Sequence, residues 1–155
     1  MKLSKKAHNR TAGDGLVFVI IFLALIGVGV WWLYYHKSEM DKEGRAFGRQ
    51  AIEALTVHYD KTFYNANLSP QARVNNPPSV QEALIQQLQQ LGTPAQPIKI
   101  DENMTWENHF FEPKGYFTAH LNYPARGATM QIAISHPVSK WQLDDVTFEP
   151  ERERQ

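Results

Sequence analysis

Eighteen consecutive residues, Leu16 to Leu33, read LVFVIIFLALIGVGVWWL without one charged or strongly polar side chain. As a helix rising ~1.5 Å per residue, such a run is long enough to cross the ~30 Å hydrocarbon core of a bilayer. The expectation is a membrane anchor over residues 15–36, carried by Leu16, Phe18, Ile20, Phe22 and Leu25. Trp31, Trp32, Tyr34 and Tyr35 follow as an aromatic belt of the kind that settles at the headgroup level. A cleaved signal peptide has a shorter apolar stretch and a small-x-small cleavage site, and no such site follows here.

Charge placement sets the expected orientation. Lys2, Lys5, Lys6 and Arg10 precede the run against a single Asp14. The far flank mixes Lys37, Lys42, Arg45 and Arg49 with Glu39, Asp41 and Glu43. Basic residues close to a span stay in the cytoplasm. Residues 1–14 are therefore read as a cytoplasmic basic tail and residues 37–150 as an extracytoplasmic domain. Residues 151–155 form a polar tail. In a bacterium this places the protein in the inner (cytoplasmic) membrane as a single-pass protein with a periplasmic domain.

The part beyond the anchor, roughly 115 residues, is enough for one hydrophobic core and too little for two. The chain has 16 Lys plus Arg against 16 Asp plus Glu and no cysteine. Disulfides and thiolate chemistry are excluded. The distal part is mildly acidic, a poor match for phosphate backbones, so no nucleic-acid partner is expected.

Periodicity orders the domain. Phe47, Ala51, Leu55, Tyr59 and Phe63 recur at four-residue steps, predicting a helix from Ser38 to about Tyr64, either continuous with the anchor or hinged near Gly44. Asn65 to Pro78 reads as loop. A second helix is expected from Ser79, with Ser79 and Glu82 as a capping box and Gly92 closing it. Its apolar stripe is Val80, Ala83, Leu84, Leu88 and Leu91.

From Ile98 the period becomes two. Ile98 and Ile100 open a strand, with Met104 and Trp106 in a second apolar patch. Glu112 to Gly115 reads as a turn; then Phe117, Ala119, Leu121 and Tyr123 alternate with polar residues, as do Met130, Ile132 and Ile134. Trp141 to Phe148 slips in phase, which a bulge at Asp144-Asp145 reconciles. The fold class is thus α+β: a transmembrane helix, then two helices packed on a three- to four-stranded antiparallel meander sheet.

Chemical signatures are sparse. His58 and Asp60, two apart on a helix, do not face each other. No histidine spacing assembles a metal site. Ser69, Ser79, Ser135 and Ser139 lie in no nucleophile elbow. Adjacent Asp144 and Asp145 point to opposite faces of a strand, and Glu107 with Glu112 is the remaining acidic pair. No catalytic residue, cofactor or metal is expected, and the chain reads as non-enzymatic. Gly44 and Gly48 have GxxxG spacing, and Gly27 and Gly29 leave a shallow groove in the span; all four are candidates for helix packing.

The stretch Gly115 to Phe148, ending in Trp141-Gln142-Leu143, resembles the cystatin-like and nuclear-transport-factor-like α+β superfamilies. The resemblance implies a small ectodomain hung on one membrane helix, as in bacterial secretion machines and respiratory-complex assembly factors. It implies a non-catalytic accessory or assembly subunit that binds a membrane-protein partner or itself. Two alternatives stay open. One is a ligand-binding domain with a pocket between helices and sheet. The other is a pilin- or pseudopilin-like structural subunit, whose leader Lys5, Lys6, Gly13 and Gly15 loosely suggest, although Ile20 stands where such proteins carry a glutamate.

Overall fold

The computed structural model describes residues 12–151; the basic tail before Ala12 and the polar tail after Glu151 lie outside the described residues. The fold is α+β, with a long apolar N-terminal helix and a four-stranded antiparallel sheet. The chain divides into two compact units between Lys37 and Ser38.

Helix α1 runs unbroken from Ala12 to Thr56, 45 residues, or about 68 Å of helix. Gly44, the candidate hinge position, lies within the helix. In the first unit its large apolar side chains face outward, with Phe18 72% and Leu25 65% exposed. The helix is long and apolar enough to cross a membrane. Trp31 stacks on Tyr35 and Trp32 on His36, with ring centroids 5.7 and 5.5 Å apart.

The second unit opens with the rest of α1, which buries Ala51, Ile52 and Leu55. The helix expected to reach Tyr64 stops at Thr56. Tyr59 turns the chain with φ 53°, and Asp60 caps a new helix by accepting the Phe63 N–H at 2.8 Å. This is α2 (Lys61–Asn67). The expected loop holds another short helix, α3 (Pro70–Asn75), capped by Ser69 on the Ala72 N–H. Polar caps with proline behind them start helices as readily as they end them.

Helix α4 spans Pro78–Leu91 and starts two residues before the expected turn. Pro77, not Ser79, is its N-cap, and no side chain bonds there. Glu82 instead lies 3.3 Å from Lys61 on α2. The stripe is rotated too. Ile85 and Leu88 are buried, Leu84 and Leu91 half-buried, and Val80 and Ala83 exposed. Gln81 is buried because its amide donates to the Asn76 carbonyl at 2.8 Å.

The sheet is a meander of β1 (Lys99–Asn108), β2 (Phe111–Asn122), β3 (Gly127–Ser135) and β4 (Gln142–Pro150), in that spatial order. The first turn is His109-Phe110, not Glu112 to Gly115; Pro113 to Gly115 pair with β1, and Glu112 lies within β2 at φ 59°. Asp145 opposes Ala133 and Leu143 opposes Ile134, leaving Asp144 as the extra residue of a bulge. That bulge keeps Leu143 and Val146 on the buried face. Helices α2 and α3 contact β4, whereas α4 packs chiefly on α2. The opposite face of the sheet is polar and open, with Asp101, His120 and Gln131 exposed.

Candidate functional site

The two glycines of the GxxxG spacing pack against the chain's own sheet. One turn apart, they lie on the same side of α1. A Cβ at Gly44 would come within 2.6 Å of Met104 Cε on β1 and of Trp141 Cη2 before β4. A Cβ at Gly48 would overlap the Phe117 ring of β2. Only glycine lets the helix backbone lie this close to three large side chains. The positions expected to pack a partner helix seat the juxtamembrane helix instead. Gly27 and Gly29, in the span, meet nothing within 4 Å.

Polar ties flank this seat. Glu102 points from β1 to the helix side of the sheet, its side chain only 8% exposed. Arg45 Nη1 donates to it at 3.1 Å, and Arg49 Nε donates to its other oxygen. The hydrogen bond from Arg49 holds the Glu102 carboxyl below its usual range, while burial works against this. The same bond raises Arg49. Four residues along β1, Trp106 donates its indole N–H to Asp41 at 2.9 Å. Asp41, Arg45 and Arg49 fall at four-residue steps on one side of α1, matching Trp106 and Glu102, four residues apart on one face of β1.

The core side chains are closely buried. Ile52, Leu55, Tyr64, Leu88, Phe117, Met130, Ile132 and Leu143 are each no more than 2% exposed. Burial pushes the Tyr64 and Tyr123 hydroxyls up to about 12, with Asp145 adding to the first and Tyr59 to the second. A cleft of about 220 Å³ lies at the rim, between Glu107, Glu112 and Lys114 of the first hairpin, Ser135 at the end of β3 and His136 just beyond it. Its groups are mutually engaged. Lys114 Nζ sits 2.6 Å from Glu107, Asn108 donates to Glu112, and Gln142 donates to Ser135.

The histidines lie apart. His120 meets Asp101 at 2.9 Å on the open face, and this bond lowers the Asp101 carboxyl. His58 is 3.6 Å from Glu53 on α1. Among the described residues no three His, Asp or Glu side chains converge on a metal position. Ser69 caps α3, Ser79 sits inside α4, and Ser139 lies in the β3–β4 loop. The anchor residues Leu16, Phe18, Ile20, Phe22, Leu25, Trp31, Trp32, Tyr34 and Tyr35 are all at least 55% exposed.

The two sheet edges differ. Leu68 bridges to Leu143 and the Ser69 N–H donates to the Leu143 carbonyl at 2.8 Å, covering part of the β4 edge. Among the described residues no strand pairs with the outer edge of β1. Sequence reasoning missed the Arg45–Glu102–Arg49 tie, whose only sign was an acidic residue on the otherwise apolar face of a strand. No protein-family model, curated protein or solved structure matches the chain.

Proposed function

We propose that the protein is a single-pass membrane protein, N-terminus in the cytoplasm, whose extracytoplasmic domain binds a membrane-protein partner as a non-catalytic accessory or assembly subunit. The observation that carries this reading is α1. One helix supplies both the apolar run and, through Gly44, Gly48, Arg45 and Arg49, a wall of the domain core. A domain built around its own anchor is suited to work beside other membrane components, because confinement raises its effective concentration there. The unpaired β1 edge offers strand addition as the mode of contact. The cystatin-like and nuclear-transport-factor-like comparison belongs with this reading, since it too pairs a helix with a meander.

Photo-crosslinking residues at Lys99 and Asn103, on the free edge strand, should capture one membrane protein in cells. The same residues at Gln131 and Thr129, in the middle of the sheet, should not. Equal capture from both places, or catalytic turnover by the purified protein, would contradict the proposal.

A pilin- or pseudopilin-like structural subunit is the second reading, favoured by the unbroken passage of α1 from apolar run to sheet. The mass of the mature N-terminus separates the two: an intact Met1 excludes leader processing. The ligand-binding alternative would use the cleft between Gln87, Gln90 and Leu91 of α4 and Arg126 and Pro150 at the sheet's end.

A further inference from the structure

The sheet has two ends, and they differ in chemistry. Asn108 pairs with Phe111, Lys114 with Ser135, and Ser135 with Gln142. The β1–β2 turn and the β3–β4 loop therefore share one end, joined by the His136 N–H to the Pro113 carbonyl at 3.3 Å. At this end Phe111 is 63% and Val138 87% exposed. Phe110, half-buried, stands beside Phe111, and Lys140 is exposed in the loop. The other end carries Pro124, Ala125 and Arg126.

The same end receives α1. Asp41 meets Trp106 near the end of β1, and Gly44 meets Met104 and Trp141. Gly48 and Arg49 meet Phe117 and Glu102, farther from the turn. Followed toward its N-terminus, α1 thus heads for the turn. Two residues, His36 and Lys37, and hence three Cα–Cα steps, separate Ser38, where the domain begins, from Tyr35 of the aromatic belt. Even fully extended they span only about 11 Å. The covalent chain therefore keeps Ser38, the first residue of the domain, within that distance of Tyr35, which is expected at the headgroup level.

We propose that the β1–β2 turn at Phe110-Phe111 and the β3–β4 loop at Val138 form a second membrane contact, dipping into the lipid headgroup region beside the anchor. Exposed apolar side chains at loop tips cost free energy in water and recover it at a lipid interface, where a neighbouring lysine buries its stem and keeps its ammonium solvated. The contact requires the anchor to be in the bilayer and is independent of any protein partner.

The chain has no cysteine, so single nitroxide labels are clean. Full-length protein carrying Phe111→Cys, Val138→Cys, Ala125→Cys or Val19→Cys is reconstituted into vesicles of phosphatidylcholine and phosphatidylglycerol, with no other protein present. Collision rates with oxygen and with a water-soluble nickel chelate are then read. The labels at 111 and 138 should lose nickel accessibility relative to 125, though less than the label at 19. Labels at 111 and 138 as open to nickel as 125, with 19 shielded, leave the anchor standing and overturn the contact. Shielding at 111 and 138 only in native membranes assigns the surface to a protein and overturns it equally. A water-exposed label at 19 overturns the anchor and the contact together.

Discussion

The ring of Phe117 occupies the space that a side chain at position 48 would need. Phe117 is 1% exposed and walled in by the core, so it cannot swing aside. Gly48→Ala should therefore destabilise the protein by about 1–3 kcal/mol in urea titrations in detergent, the cost of overpacking. That sign opposes the roughly 1 kcal/mol by which alanine exceeds glycine as a helix former. Combining it with Phe117→Leu should cost less than the two single changes added together, since the smaller side chain vacates the contested space.

Glu102 supports the seat by charge. Glu102→Gln should cost about 1–2 kcal/mol near pH 7, modest because Arg45 and Arg49 remain partly hydrated. The carboxyl is held below its ordinary 4.5 when folded. A group depressed by folding contributes stability above its unfolded pKa and loses it as pH falls through the folded value. The gap between the native chain and Glu102→Gln should be constant from neutral pH down to about 4.5 and close below it. A gap that widened in acid would contradict the pairing.

Two of the six tyrosines should resist ionisation. Tyr64 and Tyr123 are pushed from 10 to about 12 by burial. Their contribution is full below pH 10 and lost as pH rises from there through 12. Absorbance at the phenolate band should show Tyr64 and Tyr123 ionising only well above pH 10 and together with unfolding.

Asp144 is the surplus residue of the β4 bulge. Removing it leaves Leu143, Asp145 and Val146 in strict alternation, so the deletion should keep the fold and lie within about 1 kcal/mol of the native stability. Deleting Gln131 from β3 turns half of a central strand inside out and should abolish cooperative unfolding.

What could be read in advance followed from periodicity strong enough to outlast context. The apolar run, the alternation from Phe117 to Tyr123 and the phase slip after Leu143 each have one economical solution. The places that escaped were decided by contacts distant in sequence. Ser79 offered good capping chemistry, but the buried Gln81 amide reaching Asn76 rotated α4 and sent Glu82 to Lys61. Glu112-Pro113 reads as a turn by composition, yet the two-residue turn at His109-Phe110 places it inside the ladder. The spacing of Gly44 and Gly48 announced a close approach without saying to what, because a helix and a sheet make the same demand. Arg45 and Arg49 counted only as charges flanking the apolar run until Glu102 arrived from more than fifty residues away.

The account depends most on α1 carrying the domain into a bilayer. Alkaline carbonate extraction of membranes from cells making the full chain, beside a chain starting at Ser38, tests it directly. The full-length protein should stay in the pellet, while the shorter chain appears in the supernatant with a cooperative unfolding transition. Release of the full-length protein into the carbonate supernatant would contradict the account.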